Sequence, residues 1–142
     1  MDFGLIGIGS ALAFAAMGSA LGSGTAGMAA VGAWKRAFIQ NKPAPFLLVA
    51  FVGAPLSQIF YGLILMNTLD AAAGAVNPGL MLGAGVAGGI AMGLSAWFQG
   101  RAAASACDSY VETGKGFGQN LIVIGIVETT ALLPMVFLLG LF

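Results

Sequence analysis

Four long apolar blocks divide this chain of 142 residues. They cover about residues 3–33, 46–73, 78–107 and 117–142. Each exceeds the roughly 20 residues that cross a hydrocarbon core. Backbone polar groups in lipid must be satisfied within the segment, so blocks of this length predict helices. We therefore expect an all-α membrane fold with four transmembrane helices in a single, multi-pass membrane domain over residues 1–142.

Composition excludes several functional classes. Only 7% of the residues are charged, against about 25% in a globular domain. There is no histidine, so a histidine-based triad and a histidine zinc site are excluded. The single cysteine, Cys107, excludes an internal disulfide. A net charge of zero gives no reason to expect nucleic-acid binding, and no organic cofactor is expected.

Short polar segments connect the blocks. Residues 38–45 contain two prolines, which end one helix and allow another to begin. Asn77 and Pro78 are typical of an N-cap followed by the first residue of a helix. Residues 108–115 form the expected second polar connection.

The charges predict an orientation. All five cations fall in or beside the two longer connections: Lys35, Arg36, Lys42, Arg101 and Lys115. The opposite side carries Asp2 and Asp70 and no cation. By the positive-inside rule, both charged loops are cytoplasmic, and both termini and the Asp70 loop lie outside.

The helices are of two kinds. The first and third have small residues three or four positions apart, which line one face of each helix and let helix backbones approach closely. These residues are Gly7, Ala11, Ala15, Gly18, Gly22 and Ala26 in the first helix, and Gly85, Gly89, Gly93, Ala96 and Gly100 in the third. The second and fourth are bulky and suit a lipid-facing outer layer. This alternation suggests two duplicated hairpins, residues 1–75 and 76–142, and a tight inner layer shared among copies.

Glu128 lies near the middle of the fourth block, among aliphatic residues. A charge at that depth costs at least about 2.5–3.5 kcal/mol, so an intramembrane acid is a functional-site hypothesis by default. At the equivalent depth the first hairpin has Leu56 and no acid.

Other polar side chains are expected near the depth of Glu128. Ser57, Gln58 and Tyr61 share one part of the second helix, and Gln99 lies on the third. Carboxylate, amide and hydroxyl oxygens are the ligands that replace the water of a hard monovalent cation. A proton carrier needs only a carboxyl group and one acceptor. The oxygen inventory therefore favours Na⁺ while leaving H⁺ open, with the Tyr61 hydroxyl orienting the Glu128 carboxylate.

At these residues the chain resembles the four-helix proteolipid (c or K) subunit of V-type and V/A-type rotary ATPases. The resemblance covers the whole chain. It rests on the glycine-rich first helix, Pro55-Leu56-Ser57-Gln58-Ile59-Phe60-Tyr61-Gly62, Phe98-Gln99-Gly100, Val127-Glu128-Thr129 and an acid-free first hairpin.

The resemblance implies a homo-oligomeric ring that turns in lipid against a membrane stator (a-type) subunit and bears a central-stalk subunit. The residue matching Glu128 carries the ion in that family. In the sodium-translocating members, the residues matching Gln99, Gln58 and Ser57 and the backbone carbonyl matching Ala54 complete the coordination, and the tyrosine matching Tyr61 closes the site. We expect an arginine of the stator to meet the empty carboxylate.

The resemblance and the short N-terminus imply a complex of a bacterial or archaeal cell membrane. The alternative from a different class is a small multidrug-type exporter or channel-forming protein. That alternative predicts an acid lining an aromatic pocket, whereas Glu128 lies among aliphatic residues. A purely structural membrane scaffold leaves Glu128 unexplained.

Overall fold

The computed structural model describes residues 3–142, and within that range four helices are long and apolar enough to cross a membrane. They are α1 (Gly4–Ile39), α2 (Leu48–Ala71), α3 (Pro78–Thr113) and α4 (Phe117–Leu139). No strand occurs among these described residues. The predicted all-α membrane fold is confirmed. Asp2, which the predicted orientation places outside the cell, is not among the described residues.

Helices α1 and α3 are longer than expected. Each has 36 residues, or about 54 Å at 1.5 Å per residue. The expected ends near residues 33 and 107 are each six residues too early. Polar residues beyond those points lie on exposed helix surface and therefore do not stop the helix. Both helices stop near a residue with left-handed φ, Asn41 (53°) and Gly114 (64°).

Two expectations about the connections change accordingly. Residues 108–113 belong to α3, so the connection to α4 is only residues 114–116, and Gly114 and Gly116 both have positive φ there. Arg101 lies within α3 rather than in a loop, with its guanidinium 5.5 Å from the centre of the Phe98 ring. The Asn77 cap is confirmed, because its side chain accepts from the N–H of Gly79 at 2.7 Å.

Glycines bring α1 and α3 together as a parallel central pair. A Cβ at Gly18 would overlap the backbone of Gly93, and one at Gly100 would overlap the backbone of Gly22. Only a residue without a side chain allows this approach. The small-residue faces predicted from the sequence therefore meet within one chain.

Helix α2 lies against α1, α3 and α4, and α4 lies mainly against α3. On the side facing α1, a Cβ at Gly62 would stand 2.6 Å from the Cβ of Ala15. The α2 helix is also interrupted: a 3₁₀ turn at Ala54–Leu56 separates Leu48–Gly53 from Ser57–Ala71. Proline at position 55 cannot donate to the carbonyl four residues earlier, which explains the break.

Beyond the apolar spans, an ion-pair cluster joins α1 to α3. The guanidinium of Arg36 pairs with Asp108 and lies 3.5 Å from a carboxylate oxygen of Glu112. The indole N–H of Trp34 donates to the carbonyl of Pro45 at 2.8 Å, which ties the α1–α2 connection to α1. Both long helices thus continue together past the hydrophobic part of the bundle.

Candidate functional site

Glu128 lies half-buried on α4, on the side facing α2 and α3. Its neighbours Thr129 and Thr130 are exposed, and their hydroxyls donate to carbonyls of their own helix, Ile126 and Val127, at 2.6 and 2.7 Å. The two threonines therefore do not join the polar cluster around the carboxylate.

Tyr61 supplies the shortest contact to the acid. Its hydroxyl donates to Oε1 of Glu128 at 2.6 Å. A hydrogen bond to an ionised group is shorter and stronger than one between neutral groups. The contact fixes one carboxylate oxygen and covers the acid from the α2 side.

Gln99 holds the second carboxylate oxygen. Its Nε2 donates to Oε2 of Glu128 at 3.2 Å and to the carbonyl of Ile124, also at 3.2 Å. Gln99 is fully buried on α3. The amide thus joins α3 to α4 at two points, and both oxygens of the acid accept from a donor.

A line of polar groups continues from Gln99 into the break in α2. The fully buried Gln58 donates through Nε2 to Oε1 of Gln99 at 2.7 Å. The Ser57 hydroxyl lies 3.2 Å from Oε1 of Gln58 and 3.1 Å from the carbonyl of Ala54. Because α2 changes to 3₁₀ geometry here, this carbonyl and hydroxyl lie beside the two amides.

The structure therefore brings every residue of the expected set into one connected cluster. It offers oxygens of three chemical kinds within the bundle: carboxylate, amide or backbone carbonyl, and hydroxyl. Such oxygens suit Na⁺, and the hydrogen-bonded carboxyl group suits H⁺. As placed, the Gln99 amide presents its N–H to Glu128. Coordination of a cation between these two groups requires the amide to turn so that its oxygen faces the carboxylate.

Three further polar groups at this depth are not predicted from the sequence. Ser95, almost fully buried on α3, donates to the carbonyl of Val127 at 3.0 Å and supports the turn of α4 that carries Glu128. In residues 3–142, the hydroxyl oxygens of Ser19 and Ser23 on α1 are buried without a hydrogen-bond partner. Serines among small residues in a glycine-rich helix give no signal that separates them from packing residues.

Comparison with known proteins reveals two similarities. Residues 82–141 match the family model that describes the C subunit of ATP synthase. The A-type ATP synthase subunit K of Methanocaldococcus jannaschii is 31% identical over 144 residues, covering 98% of this chain and 63% of that protein. The chain thus spans less than two thirds of the length of that relative. The match to the family model covers α4 and nearly all of α3, the second hairpin.

Proposed function

Since this chain belongs to the family of the ATP synthase C subunit, as a proteolipid of the c or K type, we propose that it is the rotor-ring subunit of a membrane rotary ATPase. In this role it carries Na⁺, or H⁺, across the membrane on Glu128. The chain itself is not an enzyme. Transport is coupled to ATP hydrolysis or synthesis elsewhere in the complex.

One observation carries the proposal: both oxygens of the acid on the apolar helix α4 accept hydrogen bonds from side chains of two other helices. A buried acid with no function is a liability in lipid, because its charge opposes insertion. Here Tyr61 and Gln99 hold the carboxylate in a fixed position. This geometry suits a group that binds and releases a cation repeatedly.

For Na⁺, the proposed ligands are Glu128, Gln99, Gln58, Ser57 and the carbonyl of Ala54. Three of these oxygens are already close neighbours, since the Ser57 hydroxyl lies within 3.2 Å of both the Ala54 carbonyl and Oε1 of Gln58. Tyr61 closes the site by orienting the carboxylate. The abundance of oxygens favours Na⁺ over H⁺, since a proton needs only the carboxyl group.

Electrostatics suggests how the carrier works. With a cation bound the site is neutral, so it can face lipid while the rotor turns. Without one, Glu128 is an anion in a poorly solvated place, which is costly unless a positive partner is near. We propose that an arginine of the a-type stator subunit is this partner and displaces the ion. Each ion that crosses exchanges about 2.3 kcal/mol with a potential of 100 mV.

Identical copies form a ring in the membrane of a bacterial or archaeal cell, next to the stator and below a central-stalk subunit. The ends of α1 and α3 with the Arg36 cluster face the cytoplasm, and both termini lie outside. One carboxylate per four helices gives fewer ions per turn than one per two helices in a ring of similar girth.

The size of the assembly tests this function against a small exporter. The chain has a mass of 14.2 kDa. The particle extracted in mild detergent should contain many copies when its mass is measured by light scattering corrected for detergent. A dimer or a single copy would contradict the rotor-ring function and favour the exporter class.

A further inference from the structure

Helix α1 buries two serine hydroxyls without satisfying them. Within residues 3–142, the hydroxyl oxygens of Ser19 and Ser23 have no hydrogen-bond partner, and Ser19 is completely buried. The other hydroxyl side chains of α1 behave differently, since Ser10 and Thr25 each donate to the carbonyl four residues earlier, at 2.7 Å. A buried polar group without a partner costs free energy, and native proteins rarely keep one without a reason.

Close contacts between α1 and α2 fix which residues of the two helices face each other. A Cβ at Gly62 would stand 2.6 Å from the Cβ of Ala15, and one at Gly22 would stand 2.9 Å from the Cβ of Pro55. From the first contact to the second, the chain advances seven residues along α1 and goes back seven residues along α2. The two helices are therefore antiparallel and keep one register across this stretch.

Ser19 and Gln58 lie opposite each other in this register. Ser19 comes four residues after Ala15, on the same face of α1, and Gln58 comes four residues before Gly62, on the corresponding part of α2. Both side chains are completely buried. The unpartnered hydroxyl therefore lies at the level of the Gln58 amide, on the side of the polar cluster that α1 covers.

Binding of Na⁺ between Gln99 and Glu128 creates a conflict between two amide groups. As placed, Nε2 of Gln58 donates to Oε1 of Gln99, and Nε2 of Gln99 donates to Glu128. When the Gln99 amide turns its oxygen toward the carboxylate, its NH₂ group points toward the NH₂ group of Gln58. Two donors cannot bond to each other. One of the two amides therefore needs a new acceptor in the Na⁺-bound form.

Resting on the proposed sodium site, we propose that the Ser19 hydroxyl is this acceptor and receives an N–H of Gln58 when Na⁺ is bound. A serine oxygen can accept while its own hydrogen is donated elsewhere, as the Ser10 hydroxyl donates to a carbonyl of its own helix. Ser19 does not touch the ion. It is a positioning residue that stabilises the amide arrangement in which oxygens face the ion.

A proton makes no such demand on the amides. The Tyr61 hydroxyl can accept as well as donate, so it can take the O–H of a protonated Glu128 while Gln99 continues to donate to the other carboxyl oxygen. Both amides then keep their present arrangement, and Ser19 keeps no role in binding. The hydroxyl of Ser19 therefore favours Na⁺ over H⁺ at the same carboxyl group.

Ser19→Ala tests this role, because it removes the hydroxyl and leaves the helix backbone unchanged. The Na⁺ concentration that half-protects Glu128 from a carbodiimide should rise about 5- to 30-fold, since one buried amide loses its acceptor. The dependence of labelling on pH in the absence of Na⁺ should match the wild type. The thermal unfolding midpoint without Na⁺ should stay unchanged or rise, because alanine has no hydroxyl to leave unsatisfied.

The matched control is Ser10→Ala, which removes a hydroxyl that donates to Ile6 of the same helix and should bind Na⁺ as the wild type does. An unchanged half-protecting concentration in Ser19→Ala overturns the proposal and leaves Ser19 as a packing residue. An equal change in the Na⁺-free pH dependence also overturns it, because the hydroxyl would then act on every form of the carboxyl group. A wild-type chain that Na⁺ never protects would instead overturn the sodium site of the proposed function.

Discussion

The carboxylate of Glu128 is tolerated in α4 because its neighbours satisfy it. Hydrogen bonds to charged groups contribute about 1.5–3 kcal/mol each. Two such bonds, from Tyr61 and Gln99, contribute a free energy comparable to the cost of about 2.5–3.5 kcal/mol for placing a charge in the membrane. These bonds make the ionised form tolerable inside the chain, but they leave its negative charge in place, so the empty site still favours a cation or another positive partner.

Gln99→Ala should weaken Na⁺ binding by at least about tenfold. The change removes a proposed oxygen ligand, and the loss of one interaction with a charged group costs about 1.5–3 kcal/mol, or roughly 10- to 150-fold in affinity. The measurement is the Na⁺ concentration that half-protects Glu128 from a carbodiimide. Gln119→Ala, at an exposed position near the start of α4, is the control. Equal half-protection in the two variants would show that Gln99 is not a ligand.

Tyr61→Phe should lower the apparent Na⁺ affinity by about 10- to 100-fold, because it deletes one hydrogen bond to the carboxylate and keeps the ring. The same protection assay measures it. The chain's second tyrosine offers a matched control, Tyr110→Phe, whose ring packs against Phe51 and Phe117. If both variants bind Na⁺ as the wild type does, Tyr61 does not close the site.

Much of the site follows from the sequence, because a polar side chain in an apolar helix stands out. Glu128, Gln99 and Gln58 are found in this way. The direction of each hydrogen bond does not follow, since spacing says nothing about which amide atom faces the acid. Ser95 also escapes prediction, because its partner is a backbone carbonyl of another helix.

At the scale of the helices, two structural features position the polar groups of the candidate site. Close approach of α1 and α3 through glycines forms the support, and the 3₁₀ turn in α2 brings the Ala54 carbonyl beside Ser57. The small-residue spacing predicts the close approach of helix backbones, and Pro55 explains the turn that the structure shows. The sequence misplaces the far ends of α1 and α3, because polar residues outside the bilayer are as compatible with helix as with loop. Asn41 and Gly114, both with left-handed φ, lie just beyond those ends.

Gly18→Ala should lower the thermal unfolding midpoint of the detergent-solubilised protein. A methyl group there overlaps the Gly93 backbone, and such overpacking typically costs about 1–3 kcal/mol. Gly24→Ala on the same helix is the control, since no heavy atom of residues 3–142 that could obstruct it lies within 4 Å of the new Cβ. Its midpoint should stay unchanged or rise, because alanine favours helix. If both variants lowered the unfolding midpoint equally, tight packing between α1 and α3 would not be the cause of the decrease.

At the scale of the whole molecule, the chain combines one hairpin that carries the acid of the proposed ion site with one hairpin that lacks an acid at the equivalent depth. Every group proposed to bind the ion comes from a single copy, from α2, α3 and α4. A ring built from such copies carries one ion per chain. This arrangement follows from Leu56 at the depth equivalent to Glu128, which the sequence alone reveals, whereas the hydrogen bonds around Glu128 become visible only in the packed structure.

Labelling of Glu128 by a carbodiimide, with and without Na⁺ over a range of pH, tests the central claim most directly. The reagent attacks a protonated carboxyl group, so bound Na⁺ should protect Glu128. The protection should weaken as the pH falls and protons compete for the same oxygens. We predict at most one label per chain, on Glu128, with Na⁺-dependent protection at neutral pH. Labelling that is indifferent to Na⁺ would contradict sodium coordination and leave a proton carrier, and absence of label on Glu128 under every condition would contradict its role as the ion carrier.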